Sequence, residues 1–270
     1  MSVRYARRLL ALSAAVLLVA SSAYAQATQT KPFEPTVGQA GKDVVWVPTP
    51  QTLVEKMLDL AKVTPQDFLM DLGSGDGRTV ITAAKRGLRA QGVEYNPDMV
   101  SLSQRNAKTA GVSDKATFVK ADLFETDFSK AQVVTMFLLP SINLRLRPKI
   151  LDMRPGTRVV SNTFTMDDWQ ADETATVSED CTSWCTALLW IVPAKVEGTW
   201  NLPQGALTLT QKFQMVSGTL GSTPISDGRL RGEEITFTAG GTKYTGRVNG
   251  TTMSGTTSGG SGGKWSATRK

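Results

Sequence analysis

The residues most able to do chemistry in this 270-residue chain are an acid and three glycines in one short stretch. An apolar run ends at Asp71, and Gly73, Gly75 and Gly77 follow at alternate positions. Glycine has no Cβ, so such a loop turns sharply and lets a ligand approach its backbone. The acid and the spacing predict a loop that holds the methyl donor S-adenosylmethionine, and therefore methyl-transfer chemistry.

Two further acids follow the next two predicted strands. Glu94 closes the second strand and can accept hydrogen bonds from ribose hydroxyls. Asp122 follows the third strand, where it can bind the adenine amino group while Leu123 packs on the ring. Because ligands of open α/β sheets lie beyond the carboxyl ends of the strands, the loop and the two acids predict a three-point cofactor site. Ser74 and Tyr95 complete the predicted set of cofactor contacts.

Two other interpretations of the glycine loop are possible. A nicotinamide site would require the spacing G-x-G-x-x-G, but Arg78 stands where the third glycine would fall. A tight turn without a ligand would also explain one such loop. Three matching positions, each after its own strand, favour the ligand site.

Strands and helices alternate from Phe68 to about residue 192, which predicts a mostly parallel sheet covered by helices. The continuous apolar run Val133–Leu138 is typical of a central strand buried on both faces. Thr49-Pro50 and Asn96-Pro97 each predict an N-cap followed by a proline at the first helical position, and Ser141 predicts another cap.

The composition changes after Pro193. Residues 196–270 are rich in Gly, Thr and Ser, and short alternating apolar runs are separated by glycine-containing turns. This pattern predicts a small all-β domain, a β-meander or half-barrel. It either extends the substrate cleft or forms a separate adhesive module.

The N-terminus predicts export. Three arginines precede an apolar run, and Ala23-Tyr24-Ala25 offers a cleavage site before Gln26. We expect a periplasmic or secreted protein that is not stably inserted in the membrane after cleavage; an uncleaved membrane anchor is the alternative. The predicted segments are the signal peptide 1–25, a linker or N-terminal arm 26–45, a methyltransferase domain 46–194 and the β domain 195–270.

Composition limits the possible partners and ions. The formal net charge is +6, and the sequence has no basic run with interleaved aromatic residues, so we expect no nucleic-acid partner. There is no histidine and there are two cysteines, so no metal site is expected. Cys181 and Cys185 could form a disulfide in an oxidising compartment or remain free thiols.

Four segments together resemble class I S-adenosylmethionine-dependent methyltransferases: 71–78, 83–87, 92–97 and 137–141. They are most similar to the group that includes the mitochondrial ATP synthase c-subunit lysine methyltransferases, and Val47–Pro50 looks like the N-terminal segment of that group. The resemblance covers about residues 44–165. It implies an α/β fold, a Rossmann-like seven-stranded methyltransferase sheet with helices on both faces. It also implies that Asp71, Gly73, Gly75 and Glu94 hold the cofactor.

The resemblance further implies protein-lysine N-methylation and a methyl-transfer channel bordered by Leu138, Leu139, Pro140 and Ser141. No general base is predicted, because a lysine in an apolar channel can lose its proton to water. The mitochondrial members lack the β-rich tail and the export signal, so their particular substrate does not transfer to this chain. The acceptor is expected to be a protein lysine or another, small amine. The alternative function is an exported binding or envelope-interaction module with a methyltransferase-like fold and little or no activity.

Overall fold

The computed structural model describes residues 32–259 and 262–270, and Pro35–Lys270 form one compact unit. The predicted signal peptide and the first residues of the predicted arm lie outside the described residues, so export stays a prediction. Within the described ranges, no helix combines the length and the apolar character needed to cross a bilayer.

The N-terminal part of the described chain forms an α/β sheet. Its elements are α1 (Gln51–Leu60), β1 (Phe68–Leu72), α2 (Arg78–Lys85), β2 (Arg89–Glu94), α3 (Pro97–Thr109), β3 (Ala116–Lys120), β4 (Val133–Met136), α4 (Pro140–Leu151), β5 (Arg158–Asn162), β6 (Glu173–Thr176) and β7 (Thr186–Ile191). The strand order is β3-β2-β1-β4-β5-β7-β6. All neighbouring pairs among the first five strands are parallel, whereas β7 is antiparallel to both of its neighbours. This confirms the predicted Rossmann-like seven-stranded sheet.

Both faces of this sheet are covered. All residues of β4 are buried, as its continuous apolar sequence predicts. Alternation along β1 sends Leu69 into a core with residues of α1, α2 and α3, and sends Met70 into a second core with residues of α4. The predicted arrangement with helices on both faces is therefore confirmed.

The predicted helix caps had different outcomes. Asn96 caps α3, because its side-chain oxygen accepts a hydrogen bond from the backbone N–H of Asp98 at 2.8 Å. The caps predicted at Thr49 and Ser141 were wrong. The hydroxyl of Thr49 instead accepts a hydrogen bond from Asn162 Nδ2 at 3.3 Å, and α4 begins at Pro140, one residue before Ser141.

The C-terminal part is a closed antiparallel barrel. Its strands are β8 (Gly198–Leu202), β9 (Gly205–Lys212), β10 (Met215–Leu220), β11 (Thr223–Arg231), β12 (Glu234–Ala239), β13 (Thr242–Asn249), β14 (Thr252–Ser258) and β15 (Gly263–Arg269). The predicted all-β character is confirmed and successive strands pair as in the predicted meander, but the half-barrel alternative was wrong. The last strand returns to the first, with Thr268 opposite Asn201 and Arg269 opposite Trp200, and closure leaves no open sheet edge.

Side chains fill the interior of the barrel. Phe237 and Tyr244 stack with their ring centroids 4.6 Å apart, and Trp265 meets both rings edge-on. Trp200 is fully buried in the same cluster. The barrel is thus a packed core, as expected for eight strands.

The barrel contacts the segment that leads into β6, the edge strand of the α/β sheet. Arg229 forms an ion pair with Asp172 at 2.7 Å, and the Asp172 side chain is completely buried. Arg231 pairs with Glu173 at the beginning of β6, and the ring of Phe213 stacks on Trp169 at 5.7 Å. Ion pairs and aromatic contacts therefore fix the barrel to the sheet.

Cys181 and Cys185 form a disulfide within the loop that connects β6 to β7. Of the two states that the sequence left open, this is the one the structure has. A disulfide agrees with an oxidising compartment.

We predict that Arg229→Met destabilises the protein by about 2 kcal/mol, because it leaves the buried carboxylate of Asp172 without its cation. Urea unfolding measures the change. Arg247→Met is the matched control: its partner is Glu233 in an exposed pair, so its loss should cost less than about 1 kcal/mol. Equal losses for the two variants would contradict a special role for the Asp172 pair.

Candidate active site

The glycine loop folds back onto the end of β2. The backbone N–H groups of Gly73 and Ser74 both donate to the carbonyl of Val93, at 2.9 and 3.0 Å, and Gly77 N–H donates to Ser74 O at 2.9 Å. All three glycines have positive φ, with Gly75 at 54°. Because other residues adopt this conformation only with strain, the alternate glycines are what lets the chain turn here.

Two of the glycines also permit close contacts with side chains that line the cavity. A Cβ on Gly75 would lie 2.6 Å from Nε1 of Trp46, and a Cβ on Gly73 would lie 3.1 Å from a methyl group of Leu138. Gly77 is different: it precedes α2, and its Cβ would lie 2.7 Å from the ring of Phe118. Gly77 therefore allows packing beneath the loop, whereas Gly73 and Gly75 line a cavity above it.

Asp71 is a buried acid at the end of β1. Thr135, its partner in the register of β4, donates its hydroxyl to Asp71 Oδ1 at 2.7 Å. Burial, with smaller contributions from the negative charges of Asp76 and Glu94, raises the pKa of Asp71 to about 7 despite that hydrogen bond. Within the described residues no cation pairs with Asp71, so a cationic ligand would favour its ionised form.

Glu94 ties the loop to the end of β2. One carboxylate oxygen accepts from Gly75 N–H at 3.0 Å, and the other accepts from Asn96 N–H at 2.9 Å. The side chain lines the cavity. Each oxygen has lone-pair capacity left for a hydroxyl group, as the predicted ribose contact requires.

Asp122 also lines the cavity, but its carboxylate is engaged. Oδ1 accepts from the backbone N–H of Phe124 at 2.9 Å, and Oδ2 pairs with Lys42 Nζ at 2.9 Å. The hydrogen bond from Lys42 lowers the pKa of Asp122, so this acid is ionised at neutral pH. Lys42 Nζ also lies 5.2 Å from the centre of the Tyr95 ring. An adenine amino group would share Asp122 with Lys42 or displace it.

The cavity encloses about 1050 Å³, part of it open to solvent. Sequence-predicted residues that line it are Asp71, Gly73, Ser74, Gly75, Glu94, Tyr95, Asp122, Leu123 and Leu138. The other channel candidates, Leu139, Pro140 and Ser141, are exposed at the start of α4 and do not line it. The individual roles of all these residues stay predictions.

One wall of the cavity was not predicted. Residues 39–49 line it, including Trp46 and Thr49. Arg78 fastens this wall, because it donates to the carbonyl of Thr49 at 2.8 Å while it pairs with Asp76 at 2.6 Å. The sequence pattern assigned Arg78 no structural role and used it only as evidence against a dinucleotide-binding site. The resemblance of Val47–Pro50 to the N-terminal segment of the related group was the one signal for this wall.

The residues present fit S-adenosylmethionine. The buried carboxyl of Asp71 suits its cationic end, and the space above Gly73 and Gly75 allows close approach to the backbone. The acids at the ends of β2 and β3 lie together on one side of β1, where they suit a nucleoside. Fold and cavity thus define an S-adenosylmethionine-dependent methyltransferase.

Comparison with known proteins gives the family. The ANTKMT methyltransferase domain matches residues 71–173. A protein-lysine N-methyltransferase from Saccharolobus islandicus is 45% identical over 139 residues, which are 50% of this chain and 86% of that protein. The chain belongs to the protein-lysine N-methyltransferase family.

Mouse relatives match over less of their length. The lysine N-methyltransferase of the ATP synthase c-subunit is 40% identical over 39% of this chain and 43% of its own length. Adenine nucleotide translocase lysine N-methyltransferase is 40% identical over 43% of this chain and 52% of its own length. The chain therefore spans about half of these relatives.

A solved structure supports the cofactor. An RNA methyltransferase from Salinibacter ruber, crystallised with S-adenosyl-L-homocysteine, is 47% identical, with 56% of this chain and 96% of that chain covered and a TM-score of 0.52. The predicted cofactor, S-adenosylmethionine, is thereby confirmed. The acceptor that this neighbour's name states differs from those of the relatives above.

We predict that Gly75→Ala weakens S-adenosylmethionine binding at least tenfold, because the new methyl group pushes the Trp46 indole from its place beside the loop. Isothermal titration calorimetry measures the affinity. Gly111→Ala is the matched control: its φ is also positive, at 70°, but a Cβ there meets nothing within 4 Å. Both variants carry a backbone penalty of roughly 1–2 kcal/mol. Equal cofactor affinities in the two variants would refute the role of the close contact between Gly75 and Trp46.

We also predict that S-adenosylmethionine affinity falls as pH drops below about 7. A cationic ligand favours ionised Asp71, so binding at lower pH must expel the proton from this carboxyl, and the loss approaches tenfold per pH unit. Titrations between pH 5.5 and 7.5 measure the slope. Asp71→Asn should bind weakly and show no such slope; a slope retained in that variant would assign it to another group.

The same carboxyl affects folding. Its pKa of about 7 in the folded protein lies above its ordinary value of 3.8, so the folded state binds this proton more tightly. The stability contributed by Asp71 is therefore lost as pH rises from about 4 to about 7, by at most about 4 kcal/mol. Urea unfolding at pH 5 and pH 8 should show a smaller loss for Asp71→Asn than for the wild-type protein.

Proposed function

We propose that the protein transfers a methyl group from S-adenosylmethionine to the ε-amine of a lysine in a protein. The observation that carries this proposal is the 45% identity to a protein-lysine N-methyltransferase, 86% of whose length is matched. The ANTKMT domain match supports it, because residues 71–173 include the glycine loop as well as the ends of β4 and β5.

The bound cofactor supplies a methyl group on a positively charged sulfur, which is an activated leaving group. The residues of the chain then have to orient the two reactants and exclude water, which is positioning catalysis. Asp71 and the open loop hold the donor. The wall of residues 39–49, fastened by Arg78, restricts access of solvent to the cavity.

The acceptor has access on the other side of β1. The sheet order places the ends of β4 and β5 there, and Phe137, Leu138 and Ile142 line this side of the cavity. A lysine in such apolar surroundings has a lowered pKa and loses its proton to water more readily. This suits a chain that contains no histidine to act as a base.

The test is a methyl-transfer assay with the full chain and S-adenosylmethionine labelled in its methyl group. The acceptors are a set of peptides with one central lysine, the same peptides with norleucine instead, spermidine, and total RNA. We expect label only in the lysine peptides, with ε-N-methyllysine identified by mass spectrometry.

Two variants make the assay specific. Asp71→Asn should lose at least 90% of the activity, a decrease on the order of tenfold, because a charge that binds the cofactor is lost. Asp114 is an exposed acid in the turn before β3, and Asp114→Asn should retain the activity. Label in RNA or in spermidine without label in lysine peptides would refute the proposed acceptor. No label in any acceptor despite cofactor binding would favour a binding module.

A further inference from the structure

Three aromatic rings adjoin at the ends of β4 and β5 and in the disulfide loop. Phe137 follows β4, Phe164 follows β5, and Trp184 lies between the two cysteines. The Phe137 and Phe164 rings stack with centroids 5.8 Å apart, and the Trp184 indole lies 6.0 Å from the Phe137 ring at an angle of 59°. We call these three residues the aromatic wall.

The aromatic wall reaches from the cofactor cavity to the surface. Phe137 lines the cavity, whereas Trp184 exposes 43% of its surface. The wall lies on the β4 side of β1, opposite the acids at the ends of β2 and β3. An acceptor side chain that lies along this wall extends from solvent to the part of the cavity where it has to meet the donor.

Trp184 is held in this place at a conformational cost. Its φ is 55°, which a bulky residue rarely adopts. The disulfide encloses it, and two hydrogen bonds fix the loop: Val177 N–H donates to Cys185 O at 2.9 Å, and Thr52 Oγ1 donates to Glu179 O at 3.2 Å. A strained, exposed indole beside a cavity is a feature that points to function.

The charge beside the wall favours a cationic occupant. The segment 177–185 carries Glu179 and Asp180, both exposed, and no lysine or arginine. These charges attract a basic peptide and repel the phosphates of a nucleic acid.

We infer that the aromatic wall binds the acceptor lysine and that Trp184 determines the preference for a cationic amine; this rests on the proposed function. The lysine stem packs on the rings, and the nitrogen lies against their electron-rich faces. The bound ammonium first releases a proton to water. In the transfer, the lone pair thus freed on the nitrogen forms the new N–C bond while the C–S pair stays on sulfur. Positive charge thus moves to the nitrogen, where the rings stabilise it, and the methylated ammonium then releases its proton to water.

The test measures binding separately from activity. The probe is N-α-acetyl-N-ε-trimethyllysine methylamide, titrated by NMR into the full chain saturated with S-adenosyl-L-homocysteine. Its uncharged isostere, with carbon in place of the quaternary nitrogen, distinguishes ring–cation attraction from simple apolar contact. We expect the charged probe to bind more tightly.

Trp184→Ala should weaken binding of the charged probe by roughly threefold to thirtyfold, and Trp184→Phe by less. Thr182→Ala, an exposed change in the same loop, should have no effect. Reduction of the disulfide, or the double substitution Cys181→Ser and Cys185→Ser, should also weaken binding of the charged probe, because the loop that holds Trp184 is released. Affinity for S-adenosylmethionine should stay unchanged in every variant, which also shows that they fold.

In the methylation assay, Trp184→Ala should raise the KM for a lysine peptide more than it lowers kcat. Unchanged probe affinity in Trp184→Ala, with lysine peptides still methylated by the wild-type protein, would overturn this inference and leave the proposed function intact. A single-stranded RNA oligomer that binds through Trp184 while the charged probe does not would overturn it in favour of base stacking. Failure of the wild-type protein to methylate any lysine peptide would instead count against the proposed function.

Discussion

The burial of one carboxylate at the end of the central strand is the constraint on which the rest of the site depends. The parallel register places Asp71 opposite Thr135, so a neighbouring strand supplies the one hydrogen bond that this side chain receives from the described residues. Without a cation, burial keeps the pKa of the carboxyl near 7. The fold therefore carries an electrostatic cost that a positively charged cofactor relieves, and stability is exchanged for affinity at this position.

The order of the strands divides the cavity into two chemically different halves. Acids at the ends of β2 and β3 lie on one side of β1, and apolar and aromatic residues follow β4 and β5 on the other side. The donor's polar nucleoside suits the first half, and an amine that has to shed its proton suits the second. The same sheet thus keeps the two reactants apart except at the glycine loop, where the halves meet.

Local patterns in the sequence predicted β1 to β5, the glycine loop and the Asn96 cap, because each depends on residues close together in the chain. The interactions that the sequence did not predict join residues that are distant in the chain. Thr49 bonds to Asn162, 113 positions away, and Lys42 reaches Asp122, 80 positions away. No local pattern encodes such pairs. Barrel closure escaped prediction for the same reason, since it depends on pairing of the last strand with the first.

The barrel acts on the site indirectly. Within the described residues, none from 195 onward lines the cofactor cavity, and the barrel's own interior is filled with side chains. Its ion pairs instead hold the beginning of β6, since Arg229 pairs with Asp172 and Arg231 with Glu173. Because β6 pairs with β7 and the disulfide loop joins these two strands, a barrel that immobilises β6 also restrains the loop carrying Trp184. The β-rich part of the chain can thereby support acceptor binding without contacting the acceptor.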